Sequence, residues 1–208
     1  MSAPTSASSQ PAPERQIYLV RHGETEWSVN GRHTGRTDIP LTAVGREQAE
    51  DLGRRIGDHP FALIMTSPLS RAAETARIAG FADAERVDDL REWDYGAFEG
   101  RKTIDIRAEI PDWSIWSGPW REGETARQVG ARADRVLARC LDPSVGGDTL
   151  LFAHGHLLRV LTARWLGLAA RQGALFALGT ATIGILGWER STRVIETWNE
   201  ACHLGEAG

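Results

Sequence analysis

Short apolar runs alternate with amphipathic segments along this chain, the pattern expected of alternating strands and helices. The apolar runs predict buried strands at 16–20, 61–65 and 149–153, with a weaker strand at 86–87. Later in the chain, residues 180–188 and 194–198 are rich in β-forming side chains, and the turn residues 189–191 between them predict a hairpin.

Helices are predicted between these strands. Thr42 is suited to cap a helix that runs to about Gly57, and Pro68 favours the start of a helix over 69–79. Two further helices are predicted at 124–141 and 157–166. The alternation predicts an α/β fold in three layers (αβα), with a mostly parallel sheet covered by helices on both faces.

A single domain is expected for residues 15–208, because no linker or repeat interrupts this part of the sequence. Residues 1–14 are small, polar and proline-containing, and are expected to form a disordered tail. The segment 92–122 is longer than a usual connection and contains four tryptophans. It is interpreted either as a lid or binding loop, or as a cover packed over the sheet edge.

Composition and charge narrow the function classes. The net charge of −4 argues against general nucleic-acid binding, so an anion site would have to be a local basic pocket. No apolar run approaches the ~18 residues needed to span a membrane, and residues 1–14 lack the apolar core of a signal peptide. Cys140 and Cys202 predict neither a disulfide framework nor a zinc site, which fits a cytoplasmic protein.

Polar groups follow three of the predicted strands: Arg21 and His22, then Arg71 in the first turn of a helix, then His154 with Gly155 and His156. Carboxyl ends of parallel strands meet at one edge of a sheet, where ligands bind. Guanidinium groups and helix N-termini suit phosphate, and an imidazole can act as nucleophile, acid or base. Singly, each group has a simpler interpretation: a surface arginine, a structural histidine, or half of a metal site at His154 and His156.

Together the motifs make the chain resemble the histidine phosphatase superfamily, in the branch that contains cofactor-dependent phosphoglycerate mutase. The similarity covers residues 16–170 in the family's order: Arg21–Thr25, His33–Gly35, Asp38–Thr42, Thr66–Pro68, Arg71–Ala76, Glu92–Gly96, Glu99–Gly100, Gly123–Thr125 and His154–His156. One position departs from the family pattern. Ser28 follows Trp27 where the family has Asn, which puts a secondary phosphate contact in doubt.

The resemblance implies roles for particular residues. His22 would accept the phosphoryl group, Arg21, Arg71 and His154 would hold its oxygens, and Glu92 would exchange a proton with the leaving group and then with water. It implies no cofactor and no metal. Further contacts to phosphate or substrate are expected from Ser28, Thr34, Gly35, Tyr95, Gly155, His156 and Arg159. For Arg159, contact with a distal phosphate and an ordinary helical position both stay open.

The predicted function is a phosphatase acting on small phosphorylated metabolites, because the chain lacks the insertion that mutases of this family carry before the helix near Glu124. The site motifs also resemble sedoheptulose bisphosphatase and the bacterial broad-specificity acid phosphatases. Phosphoglycerate mutase is the alternative, and a non-catalytic binding module is a further one. A small phosphorylated metabolite is the expected partner, with no nucleic acid or membrane, and the chain is expected to be a monomer or homodimer.

Overall fold

The computed structural model describes residues 15–204, so the predicted tail 1–14 lies outside the described residues. One sheet is formed by six strands: β1 (Ile17–Arg21), β2 (Leu63–Thr66), β3 (Glu85–Arg86), β4 (Thr149–Ala153), β5 (Ile183–Glu189) and β6 (Thr192–Glu200). Their order across the sheet is β3-β2-β4-β1-β5-β6. The first four strands run parallel, and β5 and β6 are antiparallel to their neighbours. The mostly parallel sheet is therefore confirmed, as is the late hairpin.

The helices are α1 (Glu26–Asn30), α2 (Ala43–Ile56), α3 (Ser70–Ile78), α4 (Thr103–Glu109), α5 (Ala126–Cys140) and α6 (Gly155–Trp165). Short 3-10 segments occupy Asp88–Leu90, Gly96–Phe98 and Ala170–Leu175. Thr42 caps α2 as predicted, since its side chain accepts a hydrogen bond from the N–H of Gly45. Thr125 caps α5 in the same way, with Gln128 completing a capping box.

Alternate side chains of the central strands enter two separate cores. On one face, Leu19 and Leu151 pack in a cluster with apolar residues of α5 and α6. On the other face, Val20 and Phe152 pack with apolar residues of α2 and α3. Helices therefore cover both faces of the sheet, and the predicted three-layer α/β architecture is confirmed.

The tryptophan-rich segment 92–122 packs against the first of these cores. Trp93 and Trp113 are completely buried, and Trp116 and Trp120 are partly buried against the same cluster. The indole N–H of Trp93 donates to Glu124 O at 2.7 Å, which ties the start of the segment to its end. The packing interpretation is therefore confirmed for Trp93 and Trp113. None of the helices within residues 15–204 combines the length and apolar character needed to cross a membrane.

Candidate active site

The carboxyl ends of β1 and β4 bring two of the predicted histidines together. These strands pair in parallel, with Arg21 opposite Ala153, so the next residues are His22 and His154. The His22 N–H donates to Ala153 O at 3.0 Å, and the two imidazole rings lie 5.2 Å apart between centroids. Parallel pairing thus places two imidazoles side by side at one edge of the sheet.

The ring of His22 is held in one tautomer. Its Nδ1 lies 2.7 Å from Gly23 O, and because a carbonyl can only accept, Nδ1 carries the proton. Nε2 is then unprotonated and has no hydrogen-bond partner among residues 15–204. Burial, together with the nearby guanidinium groups of Arg71 and Arg21, lowers the pKa of His22 well below its ordinary value. The ring is therefore a neutral base with one available nitrogen.

A cavity of about 190 Å³ opens at His22. All of the predicted site residues line it except Arg71, His154 and Gly35. On its wall, Arg21 donates from Nη1 to Leu178 O at 2.6 Å, while its buried Nε has no partner in the part of the chain that the structure describes. An unpaired guanidinium N–H beside a cavity suits an anionic ligand.

Arg71 lies behind this wall rather than in it. The side chain is completely buried, and its Nε donates to His154 Nδ1 at 3.2 Å. Its terminal nitrogens donate to the carbonyl oxygens of Thr37, Thr34 and Gly35 at 3.0, 3.0 and 3.2 Å. From the other side, Glu99 Oε1 accepts from the backbone N–H groups of Gly35 and Thr37. Arg71 therefore holds His154 and one loop of the site in place, and it does not itself line the cavity.

Unlike His22, His154 has a hydrogen-bond partner at each ring nitrogen. Because Arg71 donates to Nδ1, the ring proton is on Nε2, which lies 2.8 Å from Ser67 Oγ. Burial lowers the pKa of His154 well below its ordinary value, with Arg71 as the next cause. Within residues 15–204, no group of three or more His, Cys, Asp or Glu side chains is placed to share a metal ion.

Glu92 lies on the cavity wall and is only 8% exposed. Its carboxylate accepts three backbone hydrogen bonds: Oε1 from Trp93 and Leu157 at 2.9 Å each, and Oε2 from His156 at 3.0 Å. Two of these donors are at the N-terminus of α6, where backbone N–H groups have no helical partner. The carboxylate is consequently held at a defined place on the wall of the cavity that His22 also lines.

Tyr95 and Ser28, at the outer part of the site, already use their hydroxyl groups in hydrogen bonds within the protein. The Tyr95 hydroxyl lies 2.6 Å from His156 Nδ1, and burial raises the pKa of Tyr95 well above its ordinary value, so the phenol stays neutral. Ser28 lines the cavity, but its hydroxyl donates to Thr25 O at 2.8 Å and accepts from the Thr25 N–H at 2.9 Å. In this arrangement Ser28 has no proton left to donate to phosphate.

Arg159 lies on the cavity wall in a fixed position. Its guanidinium is 4.6 Å from the ring of Trp116, and Nε donates to Gly173 O at 3.1 Å. The cavity also includes residues that were not predicted, among them Trp27, Arg32 and His33. Burial lowers the pKa of His33 to about 4. His33 stood in a motif used for the resemblance, which is the signal that could have identified it.

Comparisons with known proteins point to one family. The sequence model of the histidine phosphatase superfamily (branch 1) matches residues 17–201. An acid phosphatase of Mycobacterium tuberculosis is 42% identical over 182 residues, covering 86% of this chain and 89% of the relative. A sedoheptulose 1,7-bisphosphatase of Saccharomyces cerevisiae is 36% identical, covering 78% and 71%. A probable phosphoglycerate mutase, GpmB, of Salmonella arizonae is 34% identical, covering 91% and 94%.

Proposed function

The chain belongs to branch 1 of the histidine phosphatase superfamily, and on this premise we propose that it hydrolyses phosphate monoesters of small metabolites through a phosphohistidine at His22. The observation that carries this proposal is the state of His22. Its Nδ1 donates to Gly23 O, its Nε2 is available, and Arg21, whose buried Nε has no partner among residues 15–204, lines the same cavity. These are the requirements of a nitrogen nucleophile for a phosphorus centre.

In the first step, His22 Nε2 attacks phosphorus, so an N–P bond forms while the P–O bond to the ester oxygen breaks. Glu92, in its protonated form, gives its proton to the leaving alkoxide. Arg21 and the N-terminal end of α6 offset the charge on the phosphoryl oxygens. Arg71 holds the imidazole of His154 beside His22, and it holds the loop at residues 34–37 through its carbonyls.

In the second step, water attacks the phosphorus of phospho-His22. The carboxylate of Glu92 takes a proton from this water, the N–P bond breaks, and His22 returns to its neutral state as phosphate leaves. No metal is assigned a role in either step. Activity on a phosphate ester is therefore expected to survive EDTA, and its abolition with rescue by zinc would favour the metal interpretation of His154 and His156.

Phosphoglycerate mutase is the second candidate, favoured by the similarity to the probable mutase of Salmonella arizonae. Hydrolysis is preferred because the segment before α5 lacks the insertion expected of a mutase, which must exclude water from its phosphoenzyme. The phosphatase and bisphosphatase among the relatives support sugar phosphates or bisphosphates as the substrate class. A purely binding role is disfavoured, since His22, Glu92 and Arg21 all line the cavity.

The test is a rapid-quench experiment with a ³²P-labelled sugar phosphate and the full chain. Base-stable, acid-labile label should appear on the wild-type protein and be absent from His22→Ala, while His59→Ala retains it. His59 serves as the matched control because it lies beside Asp148, before β4 and at the opposite edge of the sheet. Turnover by His22→Ala near the wild-type rate would refute the proposal. Conversion of 3-phosphoglycerate to 2-phosphoglycerate without phosphate release would select the mutase instead.

A further inference from the structure

A second cleft, of about 580 Å³, lies between the tryptophan-rich segment, the first half of α5 and residues 164–171. Its volume is within the range of small-molecule sites and exceeds the 190 Å³ of the catalytic cavity. Small residues, including Ala126, Gly130 and Ala170, keep it open, and the indoles of Trp116 and Trp120 form one wall. The lining of the cleft thus combines two tryptophans with several small side chains.

The charge of the lining is positive. Arg164 is paired with Asp134 at 2.8 Å, which is the acidic residue of the lining. Arg127 and Arg171 also line the cleft, and both are exposed without a carboxylate or hydrogen-bond partner within residues 15–204. Guanidinium groups pair with anions and also stack on aromatic rings.

We propose that this cleft is a second ligand-binding site, separate from the catalytic cavity, for a planar aromatic anion. The indoles of Trp116 and Trp120 would contact the ring, and Arg127 and Arg171 would pair with the anionic group. Trp116 also stacks on Arg159, a residue of the catalytic cavity, so one side chain lies between the two sites.

The test is calorimetric titration of the full chain with 1-naphthalenesulfonate, in the presence of saturating orthovanadate to occupy the catalytic cavity. We expect binding with a Kd of about 1 mM or tighter, and none with methanesulfonate, which lacks the ring. Arg171→Glu should weaken binding about tenfold or more, and Ala131→Leu, which fills the cleft from α5, should abolish it. Arg77→Glu on α3, exposed and outside the cleft, is the matched control and should bind as the wild type does.

Three outcomes would overturn the second site: no binding to the wild type, loss of binding on addition of vanadate, or equal weakening by the Arg77 and Arg171 variants. None of these depends on turnover, so the result stands apart from the catalytic proposal.

A different observation concerns Arg132 of α5. Its guanidinium donates to three backbone carbonyls of the segment that carries Glu92: Asp89 O at 2.7 Å, Arg91 O at 2.9 Å and Glu92 O at 3.3 Å. It is also paired with both carboxylate oxygens of Glu124 at 2.7 Å. Glu124 in turn accepts from the backbone N–H of Asp94 at 3.0 Å. Two charged side chains therefore hold the main chain on both sides of Glu92.

From these contacts we infer that Arg132 is a positioning residue for proton transfer by Glu92, which rests on the proposed function. The side chain is only 12% exposed, and its planar fork is what allows it to reach three carbonyls and one carboxylate at once. Lysine keeps the charge but cannot make this set of bonds. A shifted Glu92 would then be misplaced for the leaving oxygen while His22 is untouched.

The test compares an alkyl phosphate with p-nitrophenyl phosphate, whose leaving group needs little protonation. Arg132→Lys should lower kcat for the alkyl ester about tenfold more than for the aryl ester, with KM changed less than kcat. Arg135→Gln is the matched control, because Arg135 lies one turn along α5, is itself exposed, and contacts only the side chain of Asp89 in this segment. If Arg132→Lys folds poorly, Glu124→Gln takes its place in the test, and it should show the same larger loss of kcat on the alkyl ester.

Equal losses on the two esters would leave Arg132 with a structural role only and overturn the inference. The same equality in Glu92→Gln would instead refute the general-acid role, so the two failures can be told apart.

Discussion

The imidazole of His22 carries its proton on Nδ1 because Gly23 O can only accept, and it stays neutral because burial lowers its pKa. A neutral ring is the nucleophilic form, so this state must persist wherever the protein is active. Since the pKa of His22 lies well below 6.5, acidification to that value leaves the nucleophile intact.

Activity should therefore extend into the acidic range. The pH dependence of kcat/KM reports ionisations of the free enzyme and the free substrate. After correction for the second ionisation of the phosphate ester, kcat/KM is expected to fall only below pH 6.5. The measurement is a pH–rate profile with p-nitrophenyl phosphate. A limb centred at or above pH 6.5, unexplained by the substrate, would contradict the assignment of His22.

Glu92→Gln should separate proton transfer from nucleophilic attack. The amide keeps the size of the side chain but cannot exchange a proton, so hydrolysis of alkyl phosphates should fall about 100-fold or more. Hydrolysis of p-nitrophenyl phosphate should fall much less. Steady-state kinetics on both esters gives the comparison, and Glu26→Gln, at the start of α1, is a control expected to leave both unchanged.

Some side-chain roles could be predicted from the sequence and others could not. Residues that follow strands, such as His22 and His154, were placed correctly because strand direction fixes where they emerge. The position of Arg71 behind the cavity wall could not be predicted, since its partners are carbonyls of a loop more than thirty residues earlier in the chain. Likewise, the use of the Ser28 hydroxyl in a helix cap depends on the unpredicted α1.

At the scale of elements, α2 packs against the loop after β1 backbone to backbone. A Cβ at Gly45 would lie 2.2 Å from Glu24 O, and one at Gly23 would lie 2.3 Å from Gly45 O. No side chain fits between these two segments. Because Gly23 directly follows His22 and its carbonyl accepts the hydrogen bond from His22 Nδ1, the position of α2 affects the site.

Gly45→Ala should consequently destabilise the fold by about 1–3 kcal/mol, despite the helix propensity of alanine. Gly146→Ala is the matched control, because its Cβ would meet nothing within 4 Å, and it should be neutral or stabilising by up to about 1 kcal/mol. Urea unfolding of both variants measures the difference. Equal stabilities would show that the loop moves aside at no cost.

The long elements and the short strand β3 were predicted within a few residues, whereas several short helical segments were missed. The predicted strand 149–153 coincides with β4, and the predicted helix 124–141 contains α5. The five-residue α1 and the 3-10 segment Ala170–Leu175 have too few turns for a periodic pattern. Helix α4 lies in the segment 92–122, where glycines and prolines obscure any period.

At the scale of the whole molecule, four histidines within residues 15–204 lie where the uncharged ring is favoured: His22, His33 and His154 are buried, and His156 is partly buried. Burial lowers the pKa of His22, His154 and His156 well below their ordinary value, and that of His33 to about 4. Below pH 6.5 the unfolded chain binds protons at these positions and the folded chain does not. Stability should therefore decrease as the pH falls through this range.

His33→Gln isolates one of these contributions. Between pH 6.5 and about 4, His33 should account for up to ~1.4 kcal/mol of lost stability per pH unit, because only its unfolded form is protonated there. Urea unfolding of wild type and variant at pH 7.5, 6.0 and 5.0 measures the slope. The variant should show the shallower dependence, whatever its stability at pH 7.5, and identical slopes would contradict the lowered pKa.

The loop at residues 34–37 is held by Arg71 and Glu99 entirely through main-chain atoms, three carbonyls on one side and two amides on the other. These main-chain bonds do not depend on which side chains the loop carries, and two side-chain contacts add to them: Thr34 Oγ1 donates to Arg32 O at 3.1 Å, and Arg36 is paired with Asp94 at 2.8 Å. Thr34, which lines the cavity, can therefore be exchanged at the cost of one exposed hydrogen bond while Arg71 and Glu99 still hold the loop. Mutation at the cavity-lining position of this loop can consequently change substrate preference while the residues that carry out the reaction keep their places.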